Sequence, residues 1–170
     1  MSYQSLSNFA KSVPEYVELF GGGKVEAAAK PDAPVYWIRD NQISENDLDE
    51  AKAILFGEIS NRPSEKQMLE AQTILNTAFN RMDEYRKKGK NYTLTQVLQM
   101  PNQYQAYKGK QYNKFKSGEI DELDKRKIES IDSVLKLVRN GEFINNIEDR
   151  VFYVHKPDGR IIADDRKLFK

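Results

Sequence analysis

Apolar positions along the chain recur mostly every three or four residues, the spacing that gives a helix one buried face. Leu48, Ala51, Leu55 and Ile59 mark one such stripe, opened by Ser44 with Asp47 as a helix cap. Asn61, Arg62 and Pro63 stop it. Ser64 with Gln67 has the form of a capping box that restarts a helix. Met68, Ala71, Leu75, Ala78, Met82 and Tyr85 then follow, widened by Ile74 and Phe79, so this second helix is expected to cross the core. Arg86, Lys87, Lys88 and Gly89 end it in solvent. Thr93 and Gln96 cap a short helix, LTQVLQM, closed by Pro101. Ile120, Leu123, Ile131, Val134, Leu135 and Val138 mark another long helix, ended by Asn140 and Gly141.

Two regions break this rhythm. VFYVHKPDGRII places β-branched and aromatic runs on either side of Pro157, Asp158 and Gly159, the pattern of a small hairpin. Near the start, residues 3–20 carry a weak helical stripe (Leu6, Phe9, Val13, Tyr16, Val17, Phe20), and Gly21, Gly22 and Gly23 interrupt it. The segment GGGKVEAAAKPDAP reads as a linker. It lacks the spacing and the Ser/Thr of a phosphate loop. The expected class is therefore α+β and predominantly α. Residues 1–33 form a helical appendage with its linker, and residues 34–170 form the main domain. PVYWIRD is an apolar lead-in packing on that domain, with Trp37 in a packing role.

Composition narrows the function classes. Among 170 residues, 27 basic side chains balance 26 acidic ones, for a net charge of +1. Nucleic acid is thus not expected as a partner, because phosphate binding draws on an excess of Lys and Arg. With no cysteine and a single histidine, His155, disulfides, a thiol nucleophile and thiolate or multi-histidine metal sites are all ruled out. No cofactor or metal is expected. No apolar run has membrane-spanning length, and the first residues lack the basic start and apolar block of a secretory signal.

The candidate chemistry sits in AILFGEIS. Glu58 ends a greasy run between Gly57 and Ile59. At 100° per residue it lies roughly 80° from the centre of its stripe, on the margin of the buried face behind Ile54. A carboxylate near a helix C-terminus opposes the helix dipole, so it is not there for helix stability. Glu65, Glu70 and Asp158 read as solvated. Gln103, Tyr104, Gln105 and Tyr107 follow Pro101 in a loop. They suit either sugar faces and acetamido groups, or an anchor with polar filler. Asn76 lies on the flank of its helix, and Gln67 on the apolar face near a helix start, where capping Ser64 is its simplest role. Tyr153 and His155 are read as alternating between the faces of the β element, so that one face need line a cleft.

These residues resemble a known family. Gly57, Glu58, Pro63, Gln67, Ile74, Leu75 and Asn76 match, in order and spacing, the core of the cell-wall hydrolases that include spore cortex-lytic enzymes. TLTQVLQMPNQYQAY is similar to that family's Val-Ile followed by a Gln-Phe-Ser-like turn, with Gln103 and Tyr104 on the first two positions. Gln105 stands where a small hydroxyl residue is usual, and His155 where an Asn is common. FYVHKP and DDRKLFK are similar to the family's aromatic strand and terminal aromatic.

The resemblance implies a lysozyme-like helical domain, with a small β element near the C-terminus, that cleaves the β-1,4 bond between N-acetylmuramic acid and N-acetylglucosamine. It implies Glu58 as the catalytic acid. Asn76, Gln103, Tyr104, Gln105, Tyr107, Tyr153 and His155 would contact peptidoglycan glycan strands. With one acid standing out, a lytic transglycosylase is expected over a two-carboxylate muramidase. Without a signal peptide, a phage virion is the expected carrier, and residues 1–30 would attach to virion or tail proteins. The alternatives are a non-catalytic virion structural or cargo protein on the same scaffold, and a helical protein-interaction module.

Overall fold

A computed structural model describes residues 33–101 and 103–169. The expected appendage and linker lie outside the described residues, except for Ala33. Residues 36–170 group into one compact unit. The described elements are β1 (Val35–Ile38), β2 (Asn41–Ser44), α1 (Glu45–Glu58), α2 (Ser64–Lys87), α3 (Leu94–Leu98), α4 (Lys110–Ser117), α5 (Glu122–Arg139), β3 (Phe152–His155) and β4 (Ile161–Asp164). The class is α+β and predominantly α.

Local chemistry sets most of these boundaries. Ser44 Oγ accepts from the Asp47 amide at 3.0 Å while Asp47 accepts from the Ser44 amide at 2.9 Å. That reciprocal cap starts α1. Thr93 and Gln96 cap α3 in the same way, and Asp121 with Asp124 caps α5. Asn140 ends α5, followed by Gly141 in the left-handed region. In the C-terminal hairpin Phe152 pairs with Asp164 and His155 with Ile161, antiparallel around the Pro157–Gly159 turn.

The C-terminal half of helix α1 is enclosed rather than one-faced. Ala53, Ile54, Leu55 and Phe56, four consecutive residues, are all buried, so neighbours surround its C-terminal half, while Asn46 and Asp49 keep one side of its first turns in solvent. Those neighbours are α2, α3, α4 and α5. Leu55, Leu75, Ala78 and Val134 meet in one core, with Ile74, Phe79, Ile131 and Leu135 around them. No described helix is long and apolar enough to cross a membrane.

Four expectations are corrected here. The 34–40 lead-in is half of a hairpin, β1–β2, turning at Arg39 with φ +55°. Trp37 does not pack: it is 59% exposed. Ser64 and Gln67 do not form a capping box. Pro63 occupies the cap position, and its carbonyl accepts from the Lys66 and Gln67 amides. The Gln67 side chain is instead fully buried, donating to Ser60 O at 3.1 Å and accepting from Ser130 Oγ at 2.8 Å. It thereby ties the α1–α2 loop to α5. Finally, Leu123 is exposed, while Asp124 and Lys127 of the same helix are buried. The Lys127 ammonium donates to Phe56 O at 3.0 Å and lies 4.5 Å from the Phe56 ring centre. A cation on the last-turn carbonyls of α1 suits the helix dipole and pins the end of α1 that carries Glu58.

Candidate functional site

Glu58 is the last residue of α1, and the chain leaves it in extended conformation at Ile59. Its side chain is only 4% exposed, and both carboxylate oxygens have partners. Oε1 accepts from the Ala106 amide at 3.0 Å, and Oε2 lies 2.8 Å from His155 Nε2. Gly57 is what lets the 105–106 segment come so close. A β-carbon at that position would sit 2.6 Å from Ala106 Cβ. The Gly-Glu pair is therefore one device: the glycine admits a backbone N–H, and the acid receives it.

Tyr153 and His155 do not alternate. Residues two apart on a strand share a face, and both point toward Glu58. Their ring centres are 5.8 Å apart. The hydrogen bond to Glu58 holds the imidazole pKa above its ordinary value. Burial opposes that shift, and the negative charges of Glu58 and then Glu70 add to it. Burial, and after it the charge of Glu58, pushes the Tyr153 hydroxyl well above its ordinary range, so it stays a neutral donor.

Glu70 is not solvated. It is buried behind the hairpin, paired with Arg62 at 3.2 Å, and burial outweighs that partner to raise its pKa. Arg62 also donates to Asp158 O at 2.8 Å, which fixes the hairpin turn to the α1–α2 loop.

Three adjoining hollows, of about 380, 400 and 420 Å³, share Glu58. Gln105 and His155 join the first to the second, and Gly57 and Gln111 join the first to the third. Glu58 thus lines all three and stands where they adjoin. One arm carries Arg81, Gln103, Phe152, Tyr153 and Arg166. The other carries Asn61, Lys114, Asp121, Asp124 and Lys127.

Of the sequence-predicted residues, the cleft brings together Glu58, Gln103, Gln105, Tyr153 and His155. It leaves out three. Asn76 is fully buried, and its amide donates to Ile144 O at 3.0 Å and to Asn146 Oδ1 at 2.9 Å, which anchors the 144–146 loop. Tyr104 is an anchor under the cleft floor, buried, with its hydroxyl 3.0 Å from Thr77 Oγ1 and its ring against Tyr153. Tyr107 packs edge-on against Tyr112 and lines none of the three hollows.

Sequence reasoning missed α4, whose signal was Tyr112 and Phe115 three apart between Gly109 and Gly118. It also missed Arg81, seven residues after Ile74 on the apolar stripe of α2. A cation at a core position was the cue.

No protein-family model, no curated protein and no solved structure matches this chain.

Proposed function

We propose that this chain is a peptidoglycan-cleaving glycosidase acting on the N-acetylmuramic acid–N-acetylglucosamine bond, with Glu58 as its proton donor. The reading rests on a buried carboxylate shared by three adjoining hollows, an arrangement that suits a polymer laid across an acid. The leaving oxygen must gain a proton as the C1–O4 bond breaks. The Glu58–His155 pair is a store for that proton, with Nε2 at hydrogen-bond distance from Oε2.

Lytic transglycosylation is the form we favour. The muramyl 6-hydroxyl attacks C1, its proton goes to Glu58, and a 1,6-anhydro ring closes with no water consumed. A hydrolase would need a second carboxylate to activate water or to attack the sugar. Glu70 lines none of the hollows. Asp121 and Asp124 do line the arm beside Lys114, but both serve the start of α5. Asp124 is also held by Lys114 at 2.7 Å, and its pKa is lowered, which makes it a poor base.

A second reading keeps the scaffold without activity, as a virion structural or cargo protein. It draws on one observation, that both Glu58 oxygens are already occupied. The virion carrier, and attachment through residues 1–30, belong to both readings.

Glu58→Gln separates them. The amide can still accept from Ala106 and donate to a neutral His155, so the fold should hold. Cleavage of purified cell walls should fall by at least roughly two orders of magnitude. Mass spectrometry of the wild-type products should show anhydromuramyl ends, lighter by one water than reducing ends. Reducing ends would replace transglycosylation with hydrolysis, and no wild-type cleavage at all would leave the non-catalytic reading.

A further inference from the structure

The Tyr153 arm of the cleft holds a guanidinium with no direct ion-pair partner among the described residues. Arg81 is 1% exposed, the largest fully buried side chain among the described residues. Its Nε donates to Val151 O at 2.6 Å, and its Nη1 donates to Gln103 Oε1. The guanidinium carbon lies 4.9 Å from the centre of the Tyr104 ring and 4.5 Å from that of Phe152. Among the described residues it makes no ion pair. Arg166 lies 4.5 Å from the centre of the same Phe152 ring, and its charge is matched by Asp164 at 2.7 Å. The Glu58 charge faces His155. When the Glu58–His155 pair holds one proton it is neutral overall, and the arm then keeps one positive charge in excess.

Burying a guanidinium against neutral partners alone is costly. The two interactions that rivet α2 to Val151 and Gln103 need only a neutral donor, so they do not account for the charge. Val151 takes Nε and Gln103 takes Nη1, neither of which engages Nη2, and the guanidinium stands with Arg166 in the wall of a hollow of about 400 Å³, where cationic donors suit an oxyanion.

We propose that the hollow lined by Arg81, Gln103, Phe152, Tyr153 and Arg166 is a subsite for an oxyanion carried by the substrate beside the cleaved bond. This rests on the glycosidase reading above. In a cell wall two sources supply such a group: carboxylates of the peptide stem, and phosphodiesters of wall polymers attached to the glycan. Recognition there would make the protein select decorated strands over bare glycan.

The test uses the full chain carrying Glu58→Gln, so that walls are bound and not consumed, and reads co-sedimentation with purified walls. Three wall preparations are compared: untreated, stripped of phosphodiester polymers by hydrofluoric acid, and stripped and then carboxyl-amidated with carbodiimide and ammonia. Amidation should weaken binding about tenfold if the group is a carboxylate, the usual worth of one charge-assisted contact. The same loss at the stripping step identifies a phosphodiester. Arg166→Gln, at an exposed position, leaves Asp164 unmatched and should bring the ratio between decorated and blocked walls toward one. Arg81→Lys keeps the charge without the fork and should lower the same ratio; if it does not fold, Arg166→Gln decides. Equal binding to all three preparations, with the ratio unmoved in Arg166→Gln, overturns the subsite while leaving the glycosidase reading in place. Failure of wild-type protein to cleave any wall, with Glu58→Gln binding none, overturns the reading on which the subsite rests.

Discussion

Replacing Gly57 by alanine tests the geometry of the site with a single methyl group. In a helix the change would ordinarily stabilise, by at most about 1 kcal/mol this near the C-terminus. Here the new carbon meets Ala106 Cβ at 2.6 Å, where carbon–carbon contacts are comfortable at about 3.5–4.0 Å. The 105–106 segment must retreat by roughly 1 Å, an overpacking cost of about 1–3 kcal/mol. The net effect is a loss of about 0–3 kcal/mol and a melting temperature lowered by several degrees. The larger effect falls on Glu58. Its 3.0 Å bond from the Ala106 amide would open to roughly 4 Å, beyond hydrogen-bond range. On the glycosidase reading proposed above, a displacement of that size at the acid costs about a hundredfold in rate.

Two measurements follow this change. Hydrogen exchange at the Ala106 amide reads the geometry without reference to activity and should accelerate. Wall cleavage reads the consequence and should fall. Ala106→Gly supplies the control, because with that methyl gone the nearest atoms to the new carbon are Ala106 Cα and Tyr112 N, both at 3.6 Å. The double variant should recover the protection, most of the stability and most of the rate. If Gly57→Ala alone keeps the Ala106 amide protected and the protein no less stable, the close approach of loop to helix is not what the glycine serves. The account of the Gly-Glu pair then fails.

Two further substitutions probe other parts of the structure. His155→Asn removes a group whose pKa is raised in the folded state from its ordinary 6.5. The pair's contribution to stability is whole below that value and is lost as pH rises through the higher folded value. Wild-type melting temperature, relative to the variant, should therefore decline as pH rises from about 6.5, and parallel pH profiles would refute the pairing. The effect is small, since the His155 side chain is 44% exposed. Asn76→Ala should cost about 2 kcal/mol by releasing Ile144 O and Asn146, a loss read by thermal or urea unfolding. An unchanged stability would mean that the 144–146 loop is held by other contacts.

Helix starts, helix stops and the hairpin turn were legible in the chain because they are decided by residues three or four apart. Ser44 with Asp47, Thr93 with Gln96, and Asn140 before Gly141 each act on their own backbone. The stripe of α2 and the marginal place of Glu58 were legible for the same reason, since helical geometry converts spacing into direction. Where local rules misled, a partner distant in sequence had the stronger claim. Gln67 is claimed by Ser60 and Ser130 rather than by the helix start, and Asn76 by Ile144. Glu70 is drawn inside by Arg62, and Trp37 is left outside by a hairpin whose inner positions go to other residues. That Tyr153 and His155 share a face follows from the period of a strand, but that this face looks onto Glu58 is set by how the hairpin packs on α2. Arg81 is the sharpest case: its place on the α2 stripe fixed its burial, and only the arrival of Val151, Gln103, Tyr104 and Phe152, all distant in sequence, decided what surrounds the charge. Periodicity encodes which way a side chain points along its own element. What it meets there depends on how distant segments pack, and no local pattern carries that.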